Sequence, residues 1–145
     1  MTVLEKSIMI NATPEAIEAI SLDTPRVPEW YAGVESISPD GTYPQPGGKA
    51  DVVYKSGGVT FKMKMTVTEL EPGQSFAQSM EGMIAGNYRT TYEGQGAATK
   101  VTMRFDYEMP GAALGKVLDK LVVERMNAKN LDSSLSKLKE LVESN

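Results

Sequence analysis

The sequence predicts an α+β fold, a curved antiparallel sheet of about seven strands wrapped around a long C-terminal helix, with two short helices after the first strand. Three observations predict it. Apolar and polar residues alternate with period two through most of the stretch from Val34 to Met109. Pro and Gly divide that stretch into segments joined mostly by short turns. Beyond Pro110-Gly111 the apolar residues recur at helical spacing instead. At 145 residues the chain has about the length of one domain, so 1–145 is read as a single domain.

Glu5 to Asn11 is the first strand, with Ile8 and Ile10 on one face. Thr13-Pro14-Glu15 is a helix start: an N-cap hydroxyl, a proline in the first turn and an acidic residue near the positive end of the dipole. Ile17 and Ile20 give this helix one apolar side, and Thr24-Pro25 opens a second helical piece that Pro28 limits to a turn or two. Strands follow at Val34 to Ser38, Ala50 to Lys55, Val59 to Leu70, Ser75 to Met80, Ile84 to Glu93 and Val101 to Met109. The alternation is clearest in Val59 to Leu70, where Val59, Phe61, Met63, Met65 and Val67 are separated by Thr and Lys. One face of the sheet is therefore apolar and the other wet. Twelve residues at ~3.4 Å each span ~40 Å, a length typical of twisted, curved sheets. From Ala112 to Glu143 there is no Pro, and no Gly after Gly115, so a helix of ~48 Å is predicted. A strict heptad is missing, which argues against a coiled coil and for a helix lying across the sheet. The order of elements is a helix-grip arrangement.

Composition narrows the chemistry. The chain has no Cys and no His. Disulfides, thiolate nucleophiles, imidazole bases and the commonest transition-metal ligands are excluded together. Carboxylates, Lys, Tyr and Arg remain for catalysis, and no metal or cofactor is expected. A net charge of −4 disfavours nucleic acid and anionic membranes as partners, since both reward clustered Lys and Arg. No stretch approaches the ~20 apolar residues of a transmembrane segment, and the N-terminus lacks the basic and apolar blocks of a signal peptide. A soluble, cytoplasmic protein is the expectation.

Particular residues suggest a family. Ile8 to Ala12 followed by Thr13-Pro14-Glu15, then Asp23 and Pro28-Glu29-Trp30, resembles the opening of the START-like (SRPBCC) superfamily. Tyr88, Ala98-Thr99-Lys100-Val101, Asp106 to Gly111 and Leu135 to Lys139 resemble its closing stretch, in the branch named for polyketide cyclases, dehydrases and lipid transport proteins. The resemblance implies an apolar cavity between the sheet and the C-terminal helix. It implies a small hydrophobic ligand, a lipid, polyketide or aromatic metabolite, held as by a carrier or sensor. The alternative it leaves open is a cyclase or dehydrase using Tyr and carboxylate groups in the same cavity. A third reading is transient contact with a protein or a membrane lipid through an exposed apolar patch. Hormone sensing is not supported, because the turns at Ser56-Gly57-Gly58 and Glu81-Gly82-Met83 lack the His of the hormone receptors' latch.

Candidate ligand-binding residues follow from strand phase. Phe61, Met63, Met65, Met103, Phe105 and Tyr107 point to the concave face, and nine Met in the chain suit a wall that adapts to varied apolar shapes. Tyr54, Tyr88, Tyr92 and Tyr107 fall on inward positions, where each hydroxyl either finds a protein partner or orients a ligand. Gln78, between Phe76 and Met80, adds a polar contact, and Trp30 stands near the cavity rim. Leu118 and Val122 supply the helix's part of the wall. Counting 100° per residue from Leu114 places Arg125 about 20° away and Asp132 near 0°. Arg125 is thus expected on the face toward the sheet, paired with Asp132, snorkelling to the helix edge, or meeting a ligand carboxylate or polar head. No catalytic residue is singled out.

Overall fold

The period-two segments form one seven-stranded antiparallel sheet in the computed structural model, which describes residues 2–109 and 120–144. The strands are β1 (Thr2–Ile10), β2 (Val34–Pro39), β3 (Lys49–Ser56), β4 (Val59–Glu71), β5 (Ser75–Gly82), β6 (Ala85–Gln95) and β7 (Ala98–Glu108). Their order in the sheet is β1-β7-β6-β5-β4-β3-β2, a meander whose last strand returns to pair with the first. β1 begins three residues before its apolar pattern does, because the ladder from Thr2↔Tyr107 to Ile10↔Thr99 extends it to the chain's start. The alternation in β4 has a fault that the sequence does not betray: the register with β5 slips between Val67 and Glu69. A second irregularity lies between Val34 and Ser36 where β2 meets β3. Such bulges sharpen the bend of a strand and help the sheet to curl.

Two helical pieces follow β1. In α1 (Pro14–Ser21) Thr13 Oγ1 accepts from the Ala16 N–H at 3.2 Å, and Ile17 and Ile20 are buried. A 3₁₀ turn at Thr24–Arg26 leads into α2 (Val27–Trp30), which buries Val27 and Trp30. The C-terminal helix, α3, is described over Lys120–Glu143; the predicted stretch 112–119 lies outside the described residues. Its buried stripe is Val123, Asn127, Leu131, Ser134, Leu135, Leu138 and Val142.

α3 is tied to β1 at both ends. Near its start Glu124 accepts from Thr2 Oγ1 at 2.8 Å. Near its end Glu143 accepts from the Asn11 N–H at 2.9 Å, and Lys139 Nζ donates to the Met9 carbonyl at 2.9 Å. The nineteen residues from Glu124 to Glu143 rise ~28 Å as helix, and the nine from Thr2 to Asn11 rise ~30 Å as strand, so the two elements run alongside each other in step. The turn Gly57-Gly58 packs under α3: Gly57 has φ +59°, and a Cβ there would stand 3.1 Å from Val123 Cγ2.

Candidate functional site

The concave face carries two buried regions of different character. One lies beneath α3. There Asn127, 4% exposed, accepts from Tyr54 Oη at 2.8 Å and from Ser56 Oγ at 2.7 Å through Oδ1, and donates through Nδ2 to Tyr107 Oη at 2.8 Å. Asn130 Nδ2 donates to Tyr54 Oη at 3.0 Å. Seven residues below Asn127, Ser134 Oγ donates to the Asn130 carbonyl at 2.6 Å and accepts from the Ala32 N–H at 2.8 Å, fixing the chain just after α2.

The other region is a cavity of about 90 Å³ bounded by the inner faces of β3 to β7, by α1 and α2, and by Val34, Ile37 and Tyr43. Twenty of the described residues line it; eight are aromatic, four are Met, and none is Asp, Glu, Lys or Arg. The aromatic rings form a chain of contacts, Trp30–Tyr31 at 5.5 Å between centroids, Tyr31–Tyr88 at 6.0 Å and Tyr88–Phe105 at 5.8 Å. Tyr43 meets Phe76 edge-on at 6.1 Å. Tyr31, Tyr43, Val34 and Ile37 are half-buried, which puts them at the mouth.

Two residues that line this cavity each hold a buried polar atom without a hydrogen-bond partner among the described residues: the indole Nε1 of Trp30 and Oε1 of Gln78. Both residues are more than nine-tenths buried, at 3% and 7% exposure. Native interiors hold few such atoms. The tyrosine hydroxyls differ. Tyr92 shares a 2.8 Å bond with Ser21 Oγ, Tyr54 and Tyr107 belong to the Asn127 cluster, and Tyr88 donates at 3.0 Å to the weak acceptor Met103 Sδ. Of the two alternatives open for each inward hydroxyl, Tyr54, Tyr92 and Tyr107 take the protein partner.

Burial raises the pKa of every tyrosine in the chain, that of Tyr43 to about 12 and those of Tyr31, Tyr88 and Tyr92 well above the ordinary phenol value. Tyr54 and Tyr107 are raised too, against the pull of their hydrogen bonds to the α3 asparagines. At neutral pH all six are uncharged donors, and none is poised as a base. No group of three or more acidic side chains is placed to hold a metal ion among the described residues.

Of the residues singled out from the sequence, the cavity brings together Trp30, Tyr54, Met63, Met65, Gln78, Tyr88, Met103 and Phe105. Phe61 and Tyr107, at 0% and 1% exposure, are packed in the core outside it. Leu118 lies outside the described residues. Val122 and Arg125 are exposed, and no described residue of α3 reaches the cavity. Among the described residues, the cavity predicted between sheet and C-terminal helix is walled by the sheet and the α1–α2 segment. The reason is helical phase. Measured from Leu131, in the middle of the buried stripe, Val122 is about 180° and Arg125 about 120° away. The predicted inner face was counted from Leu114, which lies outside the described residues. Asp132 is likewise exposed and pairs with Lys6 at 3.7 Å, so the Arg125–Asp132 pair is not made. Arg89 and Arg104 face outward and pair with Glu69 at 2.6 Å and Glu5 at 3.5 Å.

Sequence reading missed Tyr31, Tyr43, Thr90 and Asn127. Tyr43 sits in a Pro/Gly loop that no periodicity covers. Asn127 had a legible signal, a polar residue four positions from Val123 and Leu131 on one helical stripe.

Comparison with known proteins agrees with this architecture. Residues 1–143 match the family described as polyketide cyclase / dehydrase and lipid transport. No curated protein sequence matches the chain. Among solved structures, the fold is similar to TTHA0849 of Thermus thermophilus, at 20% identity and TM-score 0.81 over 99% of this chain and 98% of that one. It is also similar to a START superfamily protein of Mycobacterium smegmatis, at 15% identity and TM-score 0.79 over 98% and 97%. The Zhui aromatase/cyclase of a Streptomyces species aligns at 13% identity and TM-score 0.77 over 98% and 93%. Identities this low speak for the shared fold alone.

Proposed function

The chain belongs to the polyketide cyclase/dehydrase and lipid transport family of the START-like superfamily, and from that premise we propose that it is a binding protein, a carrier or sensor that encloses a small hydrophobic molecule in the cavity beside α2. The observation that carries this reading is the lining: eight aromatic and four Met side chains, with no charged residue among the described ones. Such a surface gains by removing apolar ligand area from water, at about 25 cal/mol per Å². A space of about 90 Å³ is smaller than the ~150 Å³ that holds a benzene ring, and Met63, Met65, Met80 and Met103 can change rotamer to admit one.

The same lining argues against the enzymatic alternative. A cyclase or dehydrase needs a proton acceptor near neutral pH, and the described wall offers uncharged phenols whose pKa values burial has raised. Asp132, the carboxylate expected inside, is at the surface.

Native mass spectrometry of protein purified without denaturation from its natural host, followed by organic extraction, tests the proposal. The expected result is an apolar species retained at near-stoichiometric amount. An empty protein that neither retains nor takes up apolar probes, yet cyclises a poly-β-ketone, overturns it.

A further inference from the structure

We propose that the molecule held in this cavity is electrically neutral and carries a hydroxyl group, recognised by the Trp30 indole N–H as donor and the Gln78 side-chain oxygen as acceptor. The proposal rests on the cavity being the binding site and goes on to name the chemical class that fits it.

The physical basis is an imbalance. Trp30 Nε1 can only donate and Gln78 Oε1 can only accept, and neither has a partner among the described residues. A ligand that restores both bonds must present an acceptor to one and a donor to the other. A hydroxyl is the smallest group that does both. A ketone or ether satisfies only the indole, and a hydrocarbon satisfies neither. A buried polar atom left unpaired is costly, so occupancy by a hydroxylated guest relieves two such costs at once.

Charge argues the same way. A carboxylate carried into this cavity would be stripped of water and would meet no Lys or Arg among the described lining residues. The Gln78 oxygen would repel it. Arg125, the cation that sequence phase suggested for an anionic head group, is on the outer side of α3. Fatty acids and other free acids are therefore disfavoured relative to phenols, alcohols and enols.

Trp30 is the only Trp in the chain, so its indole N–H gives a single, unambiguous resonance in a proton–nitrogen correlation spectrum. Labelled protein at neutral pH is titrated with four matched one-ring probes: para-cresol, para-methylanisole, toluene and para-toluate. Cresol is expected to bind about tenfold more tightly than toluene, the sum of two modest net hydrogen bonds, and to move the indole proton downfield. Methylanisole should fall between them and toluate should bind weakest. In Gln78→Leu the advantage of cresol over methylanisole disappears, and in Trp30→Phe, followed by calorimetry, that of methylanisole over toluene does. The wild-type series decides the matter even where a variant folds poorly. If toluene binds but cresol binds no better, or toluate binds as well as cresol, the hydroxyl assignment is overturned while the cavity reading stands. If none of the four moves the indole resonance, the cavity reading itself falls, and this assignment with it.

Discussion

Two buried polar sets lie within one fold, and they are in opposite states. Beneath α3, Asn127 bonds to Tyr54, Ser56 and Tyr107. Across the concave face, Trp30 Nε1 and Gln78 Oε1 have no partner among the described residues. Burial alone does not distinguish the sets, since all these side chains are at most 7% exposed. Satisfaction does. A closed network fixes how helix and sheet meet, because any slip of α3 would leave several buried groups unpaired. Two unpaired polar atoms beside an apolar cavity place no such constraint on the fold. One region ties helix to sheet; the other is the one proposed to hold a ligand.

Alkaline titration stresses both regions and should have the largest effect. All six tyrosines have pKa values raised by burial. Above about pH 10 the unfolded chain gives up phenolic protons that the folded chain keeps. The folded state then binds more protons, so stability is complete below about pH 10 and falls as pH rises toward 12. Each phenol contributes up to about 1.4 kcal/mol per pH unit in that window. Phenolate absorbance should therefore appear together with the loss of circular dichroism. Stepwise ionisation of most tyrosines in a still-folded protein would show that burial is not what raises them.

A pair of substitutions reads the comparison directly. Asn127→Leu should destabilise by about 3 kcal/mol in urea denaturation, because it strips partners from buried hydroxyls on three residues. Gln78→Leu should leave stability unchanged or raise it by about 1 kcal/mol, since the oxygen it removes has no protein partner. Equal losses from both would erase the distinction between the two regions.

The smallest effect is expected of Arg125→Ala. With the side chain exposed on the outer part of α3, stability should change by less than about 0.5 kcal/mol and probe binding should not change at all. A tenfold loss of binding would return Arg125 to the cavity and reverse the placement of the whole helix face.

Much of the fold was legible because it depends on local periodicity. The alternation in Phe61, Met63 and Met65, the cap at Thr13 and the Gly57-Gly58 turn each declare an element from adjacent residues. A quarter of the cavity lining followed from the same source: once β4, β5 and β7 were phased, Met63, Met65, Gln78, Met103 and Phe105 had to share a face. The bulge after Val67 was not legible, since it is a mismatch between two strands rather than a property of either. Tyr31 and Tyr43 entered the wall from irregular chain, where no period assigns a side.

The sequence by itself determined the element types, the absence of His and Cys chemistry, and the apolar character of the concave face, because each is carried by residue identity and spacing over a few positions. Only the tertiary structure decided which side of α3 faces inward, that the cavity lies beside α2, and that Asn127 is saturated while Trp30 and Gln78 are not. Those outcomes depend on the angular phase of a helix fixed by its ties to β1, and on distances between atoms far apart in the chain. Hydrogen-bond satisfaction belongs to pairs of groups, and a sequence names only one member of each pair at a time.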